Sequence, residues 1–518
     1  QAGQASLRAL ANLDVLHLVT QQGAIDLTVD GNLIARDVNA ASQAIHLRTP
    51  LAGPTTRDLS NLALRDLTLG QIVGDAVTLE AGSALRQLDI TPTAGSTVQA
   101  QHLSLRANEA SSLVNLAVSA LDAHLLRAGD LSLTMIGSGS TVLEDVQTLD
   151  GSLTLNSSRD LNLVQVVAGR SVSRTPTLVV GDTNHNSKLD LDELPLDINI
   201  TSQGMIQGQG TGTHLSVDTL AGGALRMVAG TGISGLKVNV AEIRHMATPL
   251  GAIDITDVAP TTRPLLQLTH LDAVAGSLSV TSTAALDVAY VHASAGTSVM
   301  QLTSTGSDVI IRAASAGGSV ATGSRVTLDA AQNLTIDPSV WIDAIDALTF
   351  RAGRSFTVPT SQYYLAPVLT VVSGESIAVE DELRVDKNDA PATERVEMRS
   401  ARDIKVAGPI SDGQGAAVDD IVLYADGSNG RETQVRDPIS GLRVIQGSSG
   451  RLYYESTLPA TPKALVYVPG GNYLTDMVGT KYVYDAMDYR NPAAPVKCQV
   501  LVDSAGAIFA LSGTDSAW

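Results

Sequence analysis

The sequence predicts an all-β protein, a β-solenoid of short parallel-sheet coils that ends in a less regular, tyrosine-rich C-terminal region. Three observations carry this. The 518-residue chain is poor in aromatic residues, at 3 %, and in charged ones, at 17 %. An Ala-Gly corner recurs along it, and short period-2 apolar segments follow most of those corners.

Composition comes first because 518 residues exceed what one ordinary hydrophobic core requires. Abundant Gly, Ala, Ser, Thr, Val and Leu suit thin regular layers of small side chains rather than a bulky interior. So few charges argue against disorder, and no run of 18 or more apolar residues is available to span a membrane. A formal net charge of −19 repels phosphate backbones, and no basic stripe offsets it, so nucleic acid is excluded as a partner. The single cysteine, Cys498, excludes a disulfide framework and a cysteine zinc cluster. No signal peptide is legible in Gln1-Ala2-Gly3-Gln4, and alternation already under way at Ile25-Asp26-Leu27-Thr28-Val29 suggests a repeat array that begins upstream.

The repeat is carried by Ala-Gly-x-(Ser/Ala) followed by an apolar residue, at Ala81-Gly82-Ser83-Ala84-Leu85, Ala168-Gly169-Arg170-Ser171-Val172, Ala295-Gly296-Thr297-Ser298-Val299, Ala316-Gly317-Gly318-Ser319-Val320 and Ala352-Gly353-Arg354-Ser355-Phe356. Variants sit at Gly129, Gly222 and Gly276. Successive glycines of the set lie 47, 40, 53, 54, 20, 21 and 36 residues apart, which resolves into units of roughly 20 to 27 residues. Each corner leads into strands such as Leu131-Ser132-Leu133 or Leu278-Ser279-Val280, with apolar side chains on one face. Strands this short cannot each bury a face in a hairpin sheet. Stacking each coil about 4.8 Å above the last gives every strand parallel neighbours, and roughly 20 coils would make an array on the order of 100 Å long. A doubly wound or barrel fold would need amphipathic helices, and almost no stripe of that period is present. A string of β-sandwiches would show longer strands and more aromatics.

Ten of the eleven tyrosines lie at or beyond Tyr363, and prolines thicken there as well. Residues 1–360 therefore read as solenoid with an insert at 180–195, 361–440 as continuing irregular coils, and 441–518 as a terminal cap or contact region.

The insert holds the sharpest local signal, Asp182-Thr183-Asn184-His185-Asn186-Ser187-Lys188-Leu189-Asp190-Leu191-Asp192-Glu193. It has the twelve-residue spacing of oxygen ligands that calcium takes: Asp182, Asn184 and Asn186, the carbonyl of Lys188, then Asp190 and Glu193. Ser187 stands where such loops usually carry glycine. The flanks Leu178-Val179-Val180 and Pro195 read as strand and helix stop. The segment resembles the single calcium loops of dockerin-like repeats, with a structural role in stiffening a long excursion. The acidic run from Asp381 to Asp389 lacks this spacing and reads as a solvated loop.

The Ala-Gly-x-Ser corners, Ala331-Gln332-Asn333-Leu334-Thr335-Ile336 and Ala401-Arg402-Asp403-Ile404-Lys405-Val406-Ala407-Gly408 resemble repeats of filamentous-haemagglutinin-type bacterial adhesins, over about residues 20 to 430. The resemblance implies a right-handed parallel β-helix exported to the bacterial cell surface. None of that family's secretion-domain motifs is present.

Catalytic patterns are weak. Val340-Trp341-Ile342-Asp343 echoes a pectate-lyase phrase, but Ala344 follows where that phrase has histidine. The nine histidines are scattered singly, and His102 and His214 both precede a strand, which reads as architecture. Gly230-Thr231-Gly232-Ile233-Ser234-Gly235 satisfies a dinucleotide pattern but leads into a strand rather than a helix. The expectation is a non-enzymatic extracellular structural or adhesive protein of a bacterial surface filament. Its partners would be further copies of itself or neighbouring surface proteins, with glycans a further ligand class. The alternative is a secreted polysaccharide lyase or hydrolase whose paired carboxylates assemble from distant coils.

Overall fold

The computed structural model describes residues 4–50, 65–88, 96–169, 197–217, 223–258, 263–294, 296–312, 319–358, 362–379, 383–386 and 395–401, and beyond these the backbone of short strands between 404 and 512. All regular structure among them is β-strand, and no helix there is long and apolar enough to cross a membrane. Parallel strands stack into a β-solenoid of about 14 turns. That is fewer than the repeat spacing predicts, because paired residues of neighbouring coils stand as much as 34 and 45 positions apart, as in Leu33↔Leu67 and Leu155↔Ile200.

The chain divides into two compact units, Gln1–Leu266 with His270–Ala273, and Gln267–Thr269 with Val274–Trp518. In the first, one coil has three sides. Ala5–Ala9, Leu13–Val15 and Leu18–Val19 pair in parallel with Ile25–Val29 and with two stretches of Leu33–Asn39, through Leu7↔Leu27, Leu13↔Leu33 and Leu18↔Val38. Alternation decides which side chains face in: Ile25, Leu27 and Val29 are buried while Asp26 and Thr28 are half-buried on the outer wall. Stacking at constant register makes like sit on like, as in Ile25↔Ile45↔Val77↔Leu103↔Leu121, all at most 1 % exposed. Each such side chain contributes about 1.5–3 kcal/mol by leaving water. The first coil has a neighbour on one side only, and Leu7, Leu10 and Leu16 are 48, 80 and 70 % exposed. An ion pair between Asp257 and Arg263 is sealed in this unit, with side chains 0 and 6 % exposed, and Arg263 Nη1 also donates to the Leu265 carbonyl at 2.9 Å.

The second unit shows what the Ala-Gly corner does. Strands end on a buried small residue in every coil, along Ser282↔Ser304↔Ala330↔Ala352↔Ser373↔Ser400. The serine hydroxyls donate to corner carbonyls, Ser304 to Ala284 at 2.8 Å and Ser373 to Arg354 at 2.5 Å, so polarity is tolerated inside. The glycine that follows passes close under its neighbour: a Cβ on Gly353 would lie 1.9 Å from the Ala331 carbonyl oxygen. Gly296, in the same motif, has open space instead.

Phe350, Phe356 and Tyr364 form an aromatic plug inside this unit, with ring centroids 5.6 Å apart for the two phenylalanines and 5.1 Å for Phe350 and Tyr364. Tyr364 is 0 % exposed, in a coil where Ile342↔Tyr364 and Tyr364↔Val385 continue the parallel ladder. The start of the tyrosine enrichment is thus part of the core at this position. Parallel pairing persists through Asp420–Ala425 to Val435–Arg436, which lies parallel to Ile404–Val406 through Lys405↔Arg436. From Val435–Arg436 with Arg443–Gln446 onward, strands pair antiparallel through to Val496–Val502 with Ile508–Ser512.

Candidate functional site

The twelve-residue segment Asp182–Glu193, with its oxygen donors Asp182, Asn184, Asn186, Lys188, Asp190 and Glu193, lies outside the described residues. Leu178-Val179-Val180 and Pro195 beside it lie outside them too, and the strands described on either side end at Ala168 and begin at Asp197. Leu153–Ser157 pairs directly with Asp197–Ser202, through Leu155↔Ile200, and Val166–Ala168 pairs with Leu215–Val217. The Asp197 amide meets the Ser152 hydroxyl across 45 residues of sequence, where the step from Asn12 to Asn32 spans 20. The insert therefore interrupts the sequence without interrupting the ladder.

A second group of donors is assembled by the ladder itself, in the first unit. On Ser111–Ala128, Leu121 and Ala123 face in and Asp122 and His124 face out. The next coil places Asp145 beside Asp122 and Gln147 beside His124. A bulge makes this possible: Leu121 pairs with Leu143 but Asp122 with Asp145, which leaves Glu144 extra. Bulges re-aim side chains in this way.

His124 Nε2 lies 2.8 Å from Asp122 Oδ1 and 3.2 Å from Asp145 Oδ2. Neither contact has hydrogen-bond alignment, and Asp122 Oδ1 and His124 Nε2 are both buried atoms without a hydrogen bond. The Gln147 side-chain amide donates to the other oxygen of Asp145. Beside them Glu144 Oε2 lies 3.1 Å from His102 Nε2 and accepts its proton in the tautomer that carries one there. These side chains are 23–48 % exposed.

Histidines that are isolated in sequence thus meet carboxylates in space. The only sequence signal was Asp122-Ala123-His124 in strand alternation with Glu144-Asp145 about one coil later, and its meaning depends on register. His102 and His214, alike in sequence position, differ completely. His214 is 1 % exposed; its Nδ1 accepts the Lys237 amide at 3.0 Å, which leaves the proton on Nε2. Burial holds its pKa below the ordinary histidine value, and the Lys237 charge adds to this against an opposing contact with the Gly210 carbonyl.

The remaining sequence patterns fall within coils. Gly232–Asn239 is a strand, so its glycines open no helix. In Trp341–Ala352, Ile342 is buried, Trp341 is 55 % exposed, and Asp343 is held above the ordinary carboxylate range by burial. An open cavity of about 380 Å³ occupies a corner of the first unit, lined in part by Asp75, Gln99, Gln101, Ser119 and Arg159.

The fold defines the chain as a parallel β-solenoid protein. No family model, no curated protein and no solved structure matches it.

Proposed function

We propose that this is a non-enzymatic extracellular structural or adhesive protein of a bacterial surface, in which stacked coils supply stiffness and a calcium-bound loop braces one excursion. The observation that supports this best is the in-register ladder within each unit, which holds its pairing across a long insert. Such one-dimensional stacking builds rigid surface without requiring a pocket. Exposed Trp341 and Ile345 on one strand, 55 and 44 % accessible, offer the kind of anchor that contact surfaces use. The contact partner in this reading is a second copy or a neighbouring surface protein.

The alternative, a polysaccharide-degrading enzyme, gains little from the carboxylates that converge. Glycoside cleavage uses two carboxyl groups roughly 5–9.5 Å apart, flanking a sugar bond. Asp122 and Asp145 instead offer oxygens within 4.8 Å of one another, with one imidazole nitrogen between them.

Electron microscopy of the native protein with and without a calcium chelator tests the proposal. Regular fibres or lateral assemblies that loosen on chelation, and that Glu193→Gln also loosens, are the expected result. Isolated particles indifferent to calcium, together with release of reducing or unsaturated sugar from polysaccharide, would overturn it.

A further inference from the structure

We propose that Asp122, His124 and Asp145 form a binding site for a zinc-class divalent transition-metal ion, which clips two successive coils together on the outer wall. None of these residues belongs to the Asp182–Glu193 segment, and the proposal does not depend on the functional reading above.

The donor set and its spacing argue for a metal. Zinc binds imidazole nitrogen at about 2.0–2.1 Å and carboxylate oxygen at about 2.0–2.2 Å, so two ligands at angles of 90–109° lie roughly 2.9–3.4 Å apart. The His124 Nε2 separations of 2.8 and 3.2 Å match such edges, and all three donor atoms fall within 4.8 Å of one another. A histidine held only by ion pairs would aim its N–H at one carboxylate. Here the N–H is aligned with neither, and two buried donor atoms converge without a hydrogen bond between them.

The surroundings fit the same role. Gln147 is 5 % exposed and its amide occupies Asp145 Oδ1, which leaves Oδ2 turned towards His124. Outer contacts of this kind orient metal ligands. Ala123 and Val146 anchor the two strands in the core on either side, both 0 % exposed, so the donors are carried by rigid ladder rather than by a loop. One imidazole with two carboxylates selects a borderline ion such as zinc over calcium, which prefers six to eight oxygens.

The test is titration of the untagged full chain with zinc chloride by isothermal calorimetry, in calcium-replete buffer that occupies the hard-cation loop. One zinc ion per chain is expected, with affinity lowered at least about tenfold in His124→Ala and in Asp145→Asn. Glu193→Gln and His102→Ala should leave the isotherm unchanged. Circular dichroism checks that each variant keeps its strands, and the milder Asp122→Asn substitutes should either truncation perturb them. Wild-type protein that takes up no zinc, or zinc binding that survives all three donor substitutions, overturns the proposal.

Discussion

Asp257 and Arg263 allow the sharpest test of how the coils are held. Both side chains are buried, 0 and 6 % exposed, in direct contact, and Arg263 keeps one further hydrogen bond to the Leu265 carbonyl at 2.9 Å. Asp257→Asn leaves the guanidinium buried without its counter-charge, a change that costs about 3–5 kcal/mol. At about 1.4 kcal/mol per factor of ten, local opening rises roughly 10²- to 10⁴-fold. A chain of two compact units need not unfold in one step, so for this buried pair local exchange is a more direct readout than a global midpoint. Native-state hydrogen exchange of Ile253–Asp257 reads the opening directly, and its amides should exchange faster by that factor. Replacing both partners, as Asp257→Leu with Arg263→Met, removes the stranded charge and should return exchange to within about tenfold of wild type. Slow exchange in the single variant, or equally fast exchange in the double, would refute the account of a buried charge pair whose ionic contact holds this part of the coil.

Other outcomes follow from single residues. Gly353→Val places a side chain where Cβ alone would sit 1.9 Å from the Ala331 carbonyl oxygen, and should cost about 3 kcal/mol or more by urea denaturation. Gly296→Ala, with open space around it, should stay within about 0.5 kcal/mol of wild type. Tyr364→Phe removes a buried hydroxyl that has no hydrogen bond, so stability should be unchanged or rise by up to about 1 kcal/mol; a clear loss would show that the hydroxyl has a partner.

Burial lowers the pKa of His214, and burial together with the His270 and Arg226 charges lowers that of His245 against the opposing Asp272 carboxylate. Their contribution is therefore complete above the ordinary histidine value near 6.5 and is lost as pH falls through the folded values. Denaturation midpoints at pH 8 and pH 5 should differ more in wild type than in His214→Gln, and equal differences would contradict this.

Much of the solenoid was legible because its physics is local. Ile25-Asp26-Leu27-Thr28-Val29 must turn one set of side chains inward whatever surrounds it, and Ala352-Gly353 records both a buried small residue and a corner without room for Cβ. The oxygen-donor spacing from Asp182 to Glu193 is a property of the sequence alone, since that segment lies outside the described residues. Three things depended on stacking. A tyrosine within a composition shift became part of an aromatic plug beside Phe350, because Tyr364 is the inward member of its alternation in a coil that continues the ladder. His102 and His214 parted company because the next coil covers one and leaves the other at the wall. Asp122, His124 and Asp145 converged only because a one-residue bulge at Glu144 set the register of two coils. Alternation along one strand is written in that strand, but which side chain stands above which depends on the lengths of every corner between them, and only the folded chain adds those lengths up.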